Sequence, residues 1–257
     1  DNIKNTSNKP IITDFNSSTE RNTYIRDYFK EIYKSTGPRT ISIEEFLGDQ
    51  IIRSDHVTNK ILSDEERQSV EGEINVTELT DSLSRANLGS AAGCDGWSYK
   101  AISYHWDLFK NSLCKGFNHM TRKEHLCYSF SRVQIKLLPK KGSNEEIKNY
   151  RPISLLSNFY KLCSSSFNQR MLKFANKITS IKQKAYSKTK VSHEGVTNIL
   201  DNIKKAIDNN ANLAILLVDF SKAFDMLEHD FIEQSFKFFG FGPDMMRILK
   251  TIITGRM

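Results

Sequence analysis

A chain of 257 residues with 39% apolar and 11% aromatic side chains can bury an ordinary core, which excludes a disordered tail. Its net charge of +7 is unevenly spread: residues 1–90 carry 11 Lys and Arg against 16 Asp and Glu, and the remainder carries 26 against 14. The second part is therefore expected to build a basic surface with an anionic partner.

No apolar run approaches the roughly 20 residues that span a bilayer, so no membrane partner is expected. The start, Asp1-Asn2-Ile3-Lys4, has neither Met nor a signal-like apolar stretch, and the chain reads as trimmed at both ends. Cys94, Cys114, Cys127 and Cys163 form no CxxC pair, the pattern of reduced thiols in an intracellular protein. Cys114, His119, His125 and Cys127 lack the paired turn spacings of a four-ligand zinc site.

Residues 1–17 are polar and read as a linker. Tyr24, Ile25, Tyr28, Phe29, Ile32 and Tyr33 recur at helical steps and predict a packing helix over 19–34. Ser63-Asp64-Glu65-Glu66 signals a second helix start, and Thr77-Glu78-Leu79 opens another running through Leu88. Gly93-Cys94-Asp95-Gly96-Trp97 reads as a turn, because its glycines permit unusual backbone angles and the Asp can bond its own backbone. Tyr99, Ile102, Trp106, Phe109 and Leu113 then predict one long amphipathic helix, with Trp97 and Trp106 as core residues.

Val133, Ile135 and Leu137 alternate with Arg132, Gln134 and Lys136, which predicts a strand with one buried face. Across the polar loop 143–149 it is expected to pair with the stretch from Tyr150 as a hairpin with a basic tip. Residues 157–176 read as helix, and Ile199, Ile203 and Ile207 stripe another that ends at Asn209-Asn210. Leu213–Val218 is a continuous apolar run, read as a strand buried on both faces and ending in Asp219. Two helices are expected after it, Leu227–Phe239 and Pro243–Ile253, separated by Gly240-Phe241-Gly242.

Within residues 75–257 four blocks stand out. They are Ser90 to Trp97; Ile135 to Leu156, holding Leu138-Pro139-Lys140-Lys141-Gly142 and Asn149-Tyr150-Arg151-Pro152-Ile153-Ser154; Gln183 to Ser192 with Asn198; and Leu216-Leu217-Val218-Asp219-Phe220-Ser221-Lys222-Ala223-Phe224-Asp225. In this order they resemble the reverse transcriptase domain of non-LTR retrotransposons of the LINE type. The second block is similar almost residue for residue, whereas Ser90, Ala92, Cys94, Ala185 and His193 depart from the family pattern.

The resemblance implies an α+β right-hand polymerase fragment: helix-rich fingers with a basic β-hairpin, plus the first strand and helices of the palm. Its parts would be an N-terminal linker and helical extension over 1–74, fingers over 75–182 and an incomplete palm over 183–257. It implies RNA-directed DNA polymerisation on an RNA template and DNA primer, with Mg2+ or Mn2+ and a dNTP. Asp219 would be the catalytic carboxylate and, with the Phe220 carbonyl, hold a cation. Phe224 would lie under the incoming sugar and exclude a 2′-hydroxyl, and Lys140 and Arg151 would grasp the nucleotide. The remaining palm, thumb and endonuclease of the same polyprotein would be its partners, in a ribonucleoprotein of cytoplasm and nucleus.

From the residues alone other readings stay open. Asp219 alone suits a turn or helix cap, Phe224 a core position, and Lys140 and Arg151 a solvated basic loop. The whole chain is also readable as a non-enzymatic RNA-binding module or as an interaction scaffold. No aromatic-x-Asp-Asp follows Asp219. One carboxylate does not hold two cations, so this chain alone is expected not to polymerise.

Overall fold

Local capping signals set several helix starts in the computed structural model, which describes residues 17–34, 41–140, 146–180, 183, 193–220, 223–224 and 226–254. Among the described residues the elements run α1 (Ser18–Ile32), α2 (Ile43–Leu47), α3 (Asp49–Ile52), α4 (Asp55–Thr58), α5 (Asp64–Gln68), α6 (Val76–Ser84) and α7 (Tyr99–Tyr104). They continue with α8 (Trp106–Arg122), α9 (Tyr128–Ser131), β1 (Gln134–Pro139), β2 (Tyr150–Leu155), α10 (Asn158–Leu172) and α11 (Ala175–Ile178). Last come α12 (His193–Asp208), α13 (His229–Phe238) and α14 (Pro243–Ile253). All but the last residue of the linker expected over 1–17, the hairpin tip over 141–145, most of the third block, Lys222 and Asp225 lie outside the described residues.

Ser63 and Glu66 close a capping box at α5, and Asn75 with Glu78 closes one at α6, each satisfying two otherwise orphaned N–H groups. α6 stops at Ser84 rather than Leu88. Ser84 Oγ donates to the Asp81 carbonyl and Asn87 Oδ1 accepts from the Gly89 N–H, so local side chains take over from helical bonds. The single helix expected from Tyr99 is two, α7 and α8, separated at His105, whose N–H bonds back to Ala101 and Ser103. The apolar spacing continues across this break, so the periodicity does not reveal it.

Two further expectations are corrected. No residue of α1 is buried, and its rings meet one another, Phe29 on Tyr33 at 6.1 Å. Leu213–Val218 forms no strand: residues 211–220 take up no regular element and are exposed, Leu216 at 86% and Leu217 at 82%. A strand satisfies its backbone only against neighbouring strands, and the one sheet among the described residues is the antiparallel pair β1–β2.

The chain divides into two units that interleave along the sequence. The first combines 1–39, 86–109 and 127–161. Its hairpin pairs Gln134 with Leu155, Lys136 with Ile153 and Leu138 with Arg151. In the same unit Trp97, Phe109 and Phe159 form a ring cluster with centroids 5.1–6.0 Å apart, although Trp97 remains partly exposed. The Gly93–Gly96 turn closes the hairpin's open end. A Cβ at Gly93 would lie 2.7 Å from the Leu156 carbonyl, Cys94 Sγ donates to the Arg132 carbonyl at 3.6 Å, and Asn158 Nδ2 donates to the Trp97 carbonyl at 2.8 Å. Asp95 Oδ1 accepts from the Trp97 N–H, the local bond expected of this turn.

The second unit combines 40–85, 110–126 and 162–257 around Leu79, Phe117, Leu126, Leu162 and Met245. Its hub is Arg170, 5% exposed. Nε and Nη2 bond both oxygens of Glu78 at 2.6 and 2.8 Å, Nη1 donates to the Val70 and Gly72 carbonyls, and Nη2 also donates to that of Glu73. All five guanidinium N–H groups are thereby used. The same loop holds α14: Glu71 accepts from the Asp244 and Met245 N–H groups, and Asp244 accepts from the Gly72 N–H at 2.8 Å. A carboxylate at this helix start also meets the positive end of its dipole.

Candidate functional site

Strand pairing brings Lys140 and Arg151 together. Arg151 stands opposite Leu138, and the Lys140 N–H donates to the Asn149 carbonyl at 2.6 Å, which carries the pairing past the end of β1. By the two-residue period, Lys136, Leu138 and Lys140 share one face with Arg151 and Ile153. All five are exposed. The Lys140 ammonium reaches the Lys148 carbonyl at 3.3 Å, whereas Arg151 has no partner among the described residues. Lys148 is tied to Glu146, whose hydrogen bond and charge raise the Lys148 pKa. Glu146 thus offsets one positive charge of the hairpin.

Asp219 and Phe220 belong to the second unit and lie in the exposed run that follows α12. The expected burial of Asp219 at the end of a core strand is not found, so its carboxylate carries no desolvation cost. Nor does Asp219 cap the following helix, which starts at His229 with Glu228 at its N-cap. Phe224 is 71% exposed and is not a core residue.

Asp219 has no ion-pair partner among the described residues, and its oxygens are the hard donors that Mg2+ and Mn2+ accept. Two cations require further carboxylates, and among the described residues no three His, Cys, Asp or Glu side chains gather to hold a metal ion.

Sequence reading missed the surroundings of two arginines. Arg170 looks like any helix arginine, because its partners lie about a hundred positions earlier. Arg132 lies over the Tyr128 ring, 5.2 Å from its centroid, a contact that the four-residue spacing of an aromatic and an arginine signals. No helix among the described residues is long and apolar enough to cross a membrane.

Residues 138–256 match the family described as reverse transcriptase (RNA-dependent DNA polymerase). The chain is also similar to an uncharacterized 149 kDa protein of transposon TX1 from Xenopus laevis, 28% identical over 192 residues. That alignment takes in 75% of this chain and 15% of the relative, so the chain spans a small part of the protein that it matches.

Proposed function

We propose that residues 138–256, which match the reverse transcriptase (RNA-dependent DNA polymerase) family, carry a reverse transcriptase domain of the non-LTR retrotransposon type, and that the parent polypeptide is an RNA-directed DNA polymerase extending a DNA primer on an RNA template. The observation that carries this reading is the hairpin itself. The matched segment takes in all of β2 and the end of β1, and the pairing sets Lys140 and Arg151 on one exposed face, where a planar fork and a point charge together suit a triphosphate.

In this reading Lys140 and Arg151 orient the incoming dNTP by its phosphates. Asp219 and the Phe220 carbonyl hold a Mg2+ or Mn2+ ion, and Phe224 takes the place a 2′-hydroxyl would need. The cations, when bound, lower the cost of activating the primer hydroxyl and neutralise the triphosphate. The fingers extend over 75–182 and the palm begins at 183. The second carboxylate cluster that two cations require comes from other polypeptide. By itself this chain does not extend a primer, and its setting is a ribonucleoprotein passing between cytoplasm and nucleus.

The test is primer extension by a polypeptide that includes the second carboxylate cluster. Asp219→Asn is expected to abolish extension on RNA and DNA templates while template binding persists; extension at the wild-type rate would remove Asp219 from the cation site. In the same assay Phe224→Ala is expected to admit ribonucleotides, and unchanged sugar discrimination would end the gate assignment.

A further inference from the structure

We infer that Tyr128 and Arg132, with Lys136 beyond them, form a platform for one unpaired strand of nucleic acid at the hairpin's open end. The inference rests on the polymerase reading and adds a site outside Lys140, Arg151 and Asp219. Tyr128 is 74% exposed, an unusual position for an aromatic ring with no partner to cover it. Its one ring contact among the described residues is the Arg132 guanidinium, 5.2 Å from the ring centroid. Arg132 has extended backbone angles, φ −75° and ψ 133°, and stands two residues before the start of β1. The two-residue period therefore continues from Arg132 to Lys136, cations spaced by roughly 13 Å on one face.

The base of this platform is fixed. The Arg132 carbonyl accepts from Cys94 Sγ, and the preceding Phe130 is buried against Tyr160 at 6.1 Å. An exposed ring on a fixed base, followed by a row of cations, is complementary to a strand whose bases are unstacked and whose phosphates run alongside. Ring and guanidinium give flat surfaces to a base, and the lysine gives a charge to phosphate. A duplex keeps its bases paired and offers the ring nothing.

Binding of a labelled unstructured RNA of about ten nucleotides to the 257-residue chain, followed by fluorescence anisotropy over a salt series, tests this. Tyr128→Ala is expected to weaken binding roughly 5- to 100-fold, while Tyr128→Phe keeps the ring and the affinity. Arg132→Ala and Lys136→Ala are each expected to lower the slope of log affinity against log salt by about 0.7, and Lys123→Ala, removing an exposed charge of the second unit, to leave it unchanged. Tyr128 is exposed, so its loss does not unfold the chain. Duplex RNA of the same length is expected to bind without regard to Tyr128. Single-strand binding that is unaffected by Tyr128→Ala, or a slope that falls equally with Lys123→Ala, overturns the inference alone. A wild-type chain that binds neither single strand nor duplex overturns the polymerase reading with it.

Discussion

The surroundings of Arg170 and the β1–β2 hairpin put the same chemistry to opposite ends. Arg170 is buried, and its guanidinium is spent on one carboxylate and three backbone carbonyls. On the hairpin, Arg132, Lys136 and Arg151 are exposed, and Arg151 is unpartnered among the described residues. A buried charge must be fully bonded to be tolerated, whereas an exposed one remains available to a ligand. Net charge counts both kinds alike. The basic excess after residue 90 therefore overstates what an anion would meet, since Arg170 belongs to the interior.

The sharpest way to break this contrast is Arg170→Met, which leaves Glu78 and the loop carbonyls without their donor. A loss of about 3–5 kcal/mol is expected by urea denaturation. A loss no greater than that of a surface substitution would deny Arg170 its place as hub.

A smaller effect should come from acid. Burial raises the Glu78 carboxyl, but hydrogen bonds from Arg170 and the Asn75 N–H, with the charges of Arg170 and Lys173, bring it below the ordinary value of 4.5. The folded carboxyl thus loses its proton more readily than the unfolded one. Its contribution is present above about pH 4.5 and is lost as pH falls further, through the folded value. Glu66, lowered by the Lys177 hydrogen bond and then by the Ser63 N–H, acts in the same direction. The urea midpoint should accordingly fall below pH 4.5, and Glu78→Gln should flatten part of that fall.

The smallest change in stability is expected from Arg151→Ala, within about 0.5 kcal/mol by the same denaturation. Its triphosphate affinity, measured by titration calorimetry, should nonetheless drop. If stability falls and affinity holds, Arg151 belongs with Arg170 rather than with the hairpin.

How much of this was legible follows from the range of each interaction. Ser63 with Glu66 is a capping signal within three residues, and the alternation from Arg132 to Leu137 with its return at Tyr150 announces the hairpin and the shared face of Lys140 and Arg151, although the buried face it implied is not found, Ile135 being 55% exposed. Gly240-Phe241-Gly242 separates α13 from α14 where expected. Leu213–Val218 was misread because an apolar run states a need for cover without saying what provides it. Leu249 in α14 finds that cover within its unit, and Leu216 does not. The bonds of Arg170 and the holding of α14 by Glu71 join distant positions, and no local pattern encodes them.

The hold of Glu71 and Gly72 on α14 also sets a clock. Gly72 and its partner Asp244 are separated by 172 residues, an interval of roughly 9–34 s at the 5–20 residues per second of protein synthesis. Until then the Gly72 N–H must be satisfied by water. Leu62, whose N–H bonds the Phe239 carbonyl, waits slightly longer. The second unit therefore closes around its first-made segments only after its last helix has left the ribosome, and its assembly is late rather than vectorial.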